Sequence, residues 1–371
     1  MKTNKTNQKP INYEENLANK QKRLQEVLGD YEVLPMIGME LNQNYRMRVH
    51  RAYTHAKGEI LMSGALLGDD KSGMKIGEAY VDDKKCQEIA ATIQGLLKSF
   101  KIKTYNAKSR FGLLRYVGIR RGLETNEILV TLVMASIIMP SKNNFVKELR
   151  RIHPEISTVI ISENYKDGDT FYGDREINLY GKGFISDKMC GREFRINAKS
   201  QFTVNPVQTK KICEIIEKWG EFKGTELVLD AYCGVGTYGI VLADKVRKVL
   251  SVENGQEMYR DTISNVRKNG IKNVDVYRNQ PTEFVTQVVE SEKENMEVAI
   301  VTQPYYGCGQ PFITALAAGK PKQIFLIGRN LKSLGTEVEQ LVKTGYKVKR
   351  AVGVDVYPWT ERIDAVVQLT R

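Results

Sequence analysis

The most constraining feature of this 371-residue chain is a regular alternation that begins near residue 205. Short apolar runs at 226–229, 249–252, 274–277, 298–301 and 323–327 alternate with helix-length segments at 239–245, 256–269, 281–289 and 311–318. A helix over 205–219, with Pro206 tolerated in its first turn, precedes them, and another over 331–344 follows. Strands and helices in this rhythm predict an α/β fold on a mainly parallel, doubly wound sheet. Two closing strands, at 346–352 and 363–369, predict an antiparallel hairpin near the sheet edge.

Before residue 200 the rhythm differs. A polar helix is predicted over 12–28, and Leu34-Pro35-Met36-Ile37-Gly38 then breaks the pattern. Short strands follow over 45–81, punctuated by Gly58, Gly64, Gly68 and Gly73. An amphipathic helix over 82–98 leads to strands at 113–120 and 127–134, a helix at 143–152, and strands at 158–162 and 184–197. The expected organisation is therefore a helical segment (1–30), a smaller α+β central domain (31–200) and the α/β domain (201–371), with the break between 198 and 205.

Charge points toward a polyanion. The formal net charge is +12, and residues 101–150 alone hold ten basic and three acidic groups. Such a surplus suits a nucleic acid, although a solvated basic face carries the same signature. No run of about 18 apolar residues is present, so no membrane span is expected. Five cysteines, odd in number and without a CxxC pair, argue against a disulfide framework or a zinc site. His50, His55 and His153 are too scattered for a metal site. A cytoplasmic monomer without a metal is expected.

The segment Leu227-Val228-Leu229-Asp230-Ala231-Tyr232-Cys233-Gly234-Val235-Gly236-Thr237 runs an apolar strand into an acid and then a glycine-rich turn. Glycines allow close backbone approach to a ligand at the carboxyl end of a strand. The next strand ends at Glu253, where a carboxylate grips a ribose diol in a Rossmann-type unit. Gly234, Gly236 and Gly239 also satisfy GxGxxG spacing, which leaves a dinucleotide open. Asp230 discriminates: a carboxylate there repels a pyrophosphate and suits the ammonium of S-adenosylmethionine.

Phe202-Thr203-Val204-Asn205-Pro206-Val207-Gln208, followed by Asp230–Thr237, resembles the RNA uracil-5-methyltransferase family, which acts on tRNA and ribosomal RNA. Arg110-Phe111-Gly112-Leu113-Leu114-Arg115, Glu127–Val133 and Val354-Asp355-Val356-Tyr357-Pro358 resemble further segments of it. The resemblance implies a Rossmann-like methyltransferase domain after an α+β central domain, with RNA as partner. It implies S-adenosylmethionine contacts at Thr203, Asp230, Tyr232, Gly234, Gly236, Thr237, Glu253 and Thr302. Arg110, Arg115, Arg120 and Arg121, interleaved with Tyr105, Phe111 and Tyr116, are the expected RNA contacts.

Several positions depart from the family pattern. Its chemistry needs a cysteine thiolate that adds to C6 of uracil, and a carboxylate base that later removes the C5 proton. The Ser-Cys-Asn-Pro stretch that carries the nucleophile is matched by Phe325-Leu326-Ile327-Gly328-Arg329-Asn330-Leu331, with Gly328 at the vacant nucleophile position. Asp364 stands where the base is normally Glu, Thr203 replaces a cofactor-contacting glutamine, and Thr302 replaces an acid. Gln280 replaces an acidic or small residue. The iron–sulfur cysteines have no counterpart, so no cluster is expected, and neither has the RNA-binding barrel that often precedes the central domain. Cys233 and Cys308 are the only cysteines near the cleft that could substitute. Three functions stay open: a methyltransferase unable to form 5-methyluridine by the family route, a non-catalytic RNA-binding or regulatory relative, and an enzyme redirected to an amino or ring nitrogen. Gln303-Pro304-Tyr305-Tyr306 faintly resembles the Asn/Asp-Pro-Pro-Tyr signature of that last class.

Overall fold

The computed structural model describes residues 12–56, 58–64, 78–166, 170–291 and 295–371. The expected turns at Gly68 and Gly73 and the first eleven residues of the N-terminal segment lie outside them. Helix α1 (Tyr13–Leu28) is capped by the Asn12 side chain, and Lys20, Leu24 and Leu28 form its buried stripe. Next come β1 (Val33–Ile37), β2 (Arg48–Ala56), β3 (Glu59–Gly64), α2 (Glu78–Val81) and α3 (Lys84–Ser99). Then follow β4 (Leu114–Arg121), β5 (Ile128–Met134), α4 (Lys142–Ile152), β6 (Ile156–Glu163) and β7 (Arg175–Tyr180). Strands β2 to β7 form a six-stranded sheet in the order β3-β2-β4-β5-β6-β7, in which only β5 and β6 run parallel. Helices α3 and α4 cover it with Ile89, Ile93, Leu97, Phe145 and Leu149.

The hairpin β8 (Ile185–Met189) and β9 (Arg192–Ile196) leads into the second half. There α5 (Pro206–Gly220), β10 (Leu227–Ala231), α6 (Thr237–Leu242), β11 (Lys248–Glu253), α7 (Gln256–Lys268) and β12 (Val274–Arg278) succeed one another. The chain continues through α8 (Pro281–Ser291), β13 (Val298–Thr302), α9 (Gln310–Ala318), β14 (Gln323–Gly328), α10 (Leu331–Lys343), β15 (Lys347–Val354) and β16 (Asp364–Thr370). The large sheet is ordered β1-β15-β16-β14-β13-β10-β11-β12, with β16 antiparallel to both its neighbours and every other pair parallel. Helices α5, α6 and α7 cover one face and α1, α8, α9 and α10 the other. This is the expected α/β architecture of Rossmann type. Among the described residues no helix is long and apolar enough to cross a membrane.

One expectation is corrected. Residues 33–37, read as part of the central domain, are the edge strand of the large sheet, where Val33 pairs with Ala351 and Leu34 with Val352. Pro35 explains both the misreading and the position, because a residue without an N–H interrupts a strand pattern and is tolerated at an edge. The closing strands β15 and β16 pair antiparallel near that edge, as expected, with β16 inserted between β14 and β15 and β1 lying outside both.

A buried ion pair fixes this arrangement. Lys20 Nζ lies 2.6 Å from Asp355 Oδ1 and donates to the Tyr357 carbonyl at 2.9 Å, while the Tyr13 hydroxyl donates to Asp355 Oδ2 at 2.8 Å. Replacing Lys20 by alanine strands a carboxylate in the interior, so a loss of about 3–5 kcal/mol is expected in urea unfolding. The double variant Lys20→Met/Asp355→Leu should recover most of it. Equal stability of Lys20→Ala and wild type would remove the pair from the fold's essential contacts.

Candidate functional site

The carboxyl ends of the parallel strands β10, β11, β13 and β14 meet the start of antiparallel β16 along one edge of the large sheet, since Gly328 pairs with Ala365. The predicted residues Asp230, Glu253, Thr302, Gly328 and Asp364 all lie on that edge. Between β10 and α6 the backbone turns through Tyr232 at φ 56°, Gly234 at φ 60° and Gly236 at φ 79°. A Cβ on Gly234 would meet only the Gln201 carbonyl, at 3.9 Å, so the loop leaves open space on that side. Tyr232 packs edge-on against Phe312, and Thr237 opens α6.

Glu253 is nearly buried and holds the loop from the next strand, accepting from Gly234 N–H at 3.0 Å and Gly255 N–H at 2.8 Å. Burial raises its pKa. Each carboxylate oxygen keeps a second lone pair, as a ribose diol requires. The donor set and the open side of Gly234 fit S-adenosylmethionine. Asp230 behaves differently from expectation: it is wholly buried beneath α6, where Oδ2 accepts from Gly239 N–H at 3.0 Å and Oδ1 has no partner. The loop therefore encloses it, leaving a ligand ammonium no open approach. Thr203 Oγ1 lies 2.6 Å from Thr209 Oγ1 and accepts from Asn205 N–H, ordering the turn into α5. Gln280, after β12, accepts from Asn254 Nδ2 at 3.2 Å. The Thr302 hydroxyl is buried and unpartnered.

The strand-end turn after β14 requires a correction. A Cβ on Gly328 would point at Leu334, 2.7 Å from its Cδ2, in the apolar layer between β14 and α10. The side chain facing Asp364 belongs to the next residue, Arg329, whose Nε lies 4.0 Å from Asp364 Oδ2. Burial opposes the Arg329 charge, but Asp364 and the Tyr357 and Tyr238 hydroxyls outweigh it and raise its pKa. Burial also raises the pKa of Asp364, against the pull of Arg329, Arg362 and Lys20. Arg362 lies over the Tyr357 and Tyr305 rings, at 4.3 and 5.5 Å from their centroids.

Gln303, read from sequence only as the lead of a faint amino-methylation signature, and Glu337, absent from the sequence-based site, build the floor of this turn. Gln303 Oε1 accepts from the Arg329 and Asn330 amides at 3.0 Å each, and its Nε2 donates to Glu337 Oε2 at 2.8 Å. Glu337 Oε1 accepts from Cys308 N–H. An acid within the buried stripe Leu334, Glu337, Val338 and Leu341 was the available signal. With Gln303 fully buried and engaged at both ends, its amide cannot receive a target amine, which removes the amino-methylation register led by Gln303. Neither cysteine is activated: burial raises the thiol pKa of Cys233 and, with Glu337, that of Cys308.

The four arginines separate. Arg110 is exposed. Arg115 is buried, donating to the Asn164 and Lys166 carbonyls at 2.9 and 2.7 Å, and Arg120 is buried against the Ser200 carbonyl. Arg121 pairs with Asp83 at 2.7 Å. Internal partners thus occupy Arg115 and Arg120, which corrects their expected role as RNA contacts. Among the described residues no group of three or more His, Cys, Asp or Glu side chains could hold a metal.

Two stability measurements check this geometry. Gly328→Cys should cost about 1–3 kcal/mol in chemical denaturation, because Leu334 already fills the space; an unchanged midpoint would contradict the side-chain direction. Burial lifts the Asp230 pKa to about 7, against roughly 3.9 in an unfolded chain. The folded state then binds the extra proton, so this group's stabilising contribution is full at low pH and falls as pH rises through about 4 to 7. Asp230→Asn should lack that loss, and its melting temperature relative to wild type should climb across the window. A flat difference would overturn the shift.

Comparison with known proteins is consistent with this edge as a cofactor site. The sequence model described as tRNA (uracil-5-)-methyltransferase matches residues 12–371. A protein of Halalkalibacterium halodurans named as an uncharacterized RNA methyltransferase is 31% identical over 91% of this chain and 72% of its own length. One from Clostridium acetobutylicum with the same description is 29% identical over 93% and 74%. The crystal structure of Pyrococcus abyssi tRNA (uracil-54, C5)-methyltransferase in complex with S-adenosyl-L-homocysteine superposes with a TM-score of 0.76 at 25% identity, covering 97% of this chain and 84% of that one.

Proposed function

Because the chain belongs to the tRNA (uracil-5-)-methyltransferase family, we propose that it binds S-adenosylmethionine at the carboxyl edge of its large sheet and engages RNA, without making 5-methyluridine through a cysteine adduct. The observation that carries this reading is the Arg329–Asp364 pair in the turn after β14. A protonated guanidinium has no electron pair with which to add to C6 of uracil, and without that addition C5 gains no nucleophilic character. When bound, S-adenosylmethionine supplies an electrophilic methyl group. The chain's own residues would hold it: Glu253 the ribose, and the Gly234 side of the loop the backbone approach. Asp230 would act from beneath, keeping α6 in place through Gly239.

A second reading, a non-catalytic RNA-binding relative, is favoured by the same pair, since Asp364 faces a fixed cation in place of a substrate proton. Cofactor affinity separates the two. In calorimetric titration, wild type is expected to bind S-adenosylmethionine, and Glu253→Ala to weaken it by at least tenfold. Absence of binding by folded wild type would leave the non-catalytic reading. Nucleoside mass spectrometry of RNA incubated with protein and cofactor should show no 5-methyluridine above the no-protein control; its formation would overturn the proposal.

A further inference from the structure

The central domain carries a groove that the cofactor edge does not use, about 1020 Å³ in volume, between the β2–β3 hairpin, the end of α3 and the loop 103–112. Its floor is apolar, from Ile60, Leu97 and Ile102. Its rim is cationic, with exposed Lys98, Lys101 and Lys103 against one lining acid, Glu59. None of the three lysines ion-pairs with a described acid. Phe111 forms one wall and is 61% exposed, which is unusual for a phenyl ring. Lys103 Nζ lies over this ring, 4.9 Å from its centroid.

The loop that presents Phe111 is cross-braced by hydrogen bonds. Asn106 N–H donates to the Phe111 carbonyl at 2.8 Å, and Tyr105 N–H to the Leu114 carbonyl at 2.7 Å. The Asn106 side chain accepts from the Lys108 and Ser109 amides at 2.9 and 3.1 Å. Gly112, at φ 104°, lets the strand return against Thr104, whose carbonyl oxygen lies 2.1 Å from where a Cβ would stand. An aromatic ring held out by a hydrogen-bonded loop loses little freedom on binding. Apolar floor, exposed ring and unpaired ammonium groups are together what an unpaired nucleotide needs, a face for its base and cations for its phosphates.

We infer that this groove is a binding site for single-stranded RNA, in which a base stacks on Phe111 and the adjacent phosphates meet Lys98, Lys101 and Lys103. The inference rests on the proposal that the protein engages RNA, and it locates a contact far from the cofactor. The groove adjoins the Leu114 end of β4, whereas Arg120 at the other end meets Ser200. Those six residues of strand set the two roughly 20 Å apart, so one RNA would reach both only by spanning that length.

The test is binding of a fluorescein-labelled unpaired oligoribonucleotide, about ten nucleotides long, by fluorescence anisotropy over a salt series. Phe111→Ala should weaken binding by about tenfold, with Phe111→Trp restoring it. Lys101→Gln/Lys103→Gln should flatten the dependence of log affinity on log salt by about 1.4, at roughly 0.7 for each single-strand phosphate contact. Calorimetric affinity for S-adenosylmethionine should stay unchanged in all three, which also reports that they fold. Undiminished affinity in Phe111→Ala, or equal binding of an acidic peptide such as oligoglutamate, would overturn the groove as an RNA site while leaving RNA engagement elsewhere intact. Failure of wild type to bind any oligoribonucleotide would instead overturn the RNA reading itself.

Discussion

The contact on which the architecture turns is the buried Lys20–Asp355 pair. An ammonium and a carboxylate are costly to desolvate unless each finds several partners. Here Lys20 also holds the Tyr357 carbonyl and Asp355 also accepts from Tyr13. Through this cluster the first described helix fixes the segment that runs from β15 to Asp364. Asn16 and Arg23 extend the grip, donating to the Thr360 and Glu361 carbonyls at 3.5 and 2.9 Å. The helix that sequence alone assigns to a separate leading segment is thus the support of the candidate cleft's far wall.

Within that cleft a charged pair occupies the turn after β14. Gln303 and Glu337 hold the turn after β14 from below, Leu334 fills the space beside Gly328, and Arg329 meets Asp364. These contacts form one connected, well-packed unit. Leu334 already fills the space that a side chain at position 328 would take, in keeping with the dense packing of protein interiors.

Much of the fold was legible because its signals are local. Apolar runs such as 298–301 read as buried parallel strands, and the Asp230–Thr237 turn read as a ligand loop from its glycines together with the strand-end acids Asp230 and Glu253. What escaped depends on partners distant in sequence. Pro35 looks like a break until β15 is seen beside it. Arg115 and Arg120 look like phosphate ligands until the Asn164 and Ser200 carbonyls are seen at their tips. Asp230 looks like a ligand contact until α6 is seen closing over it. Lys20 read as one more charge on a solvent-facing polar helix until Asp355 is seen beside it, and Glu337 was visible as an acid in an apolar stripe, a signal of pairing that does not name the partner.

The edge strand β1 carries a consequence for how the molecule comes into being. Val33 finds Ala351 only after more than three hundred intervening residues have been made. On a ribosome, α1 and β1 emerge first and must wait, with an apolar stripe uncovered, until the last two strands are synthesised. Ordering so distant a pairing is slow. The large sheet is therefore completed last at the strand made before its others, and α1 and β1 are the elements of that sheet most in need of shelter during synthesis.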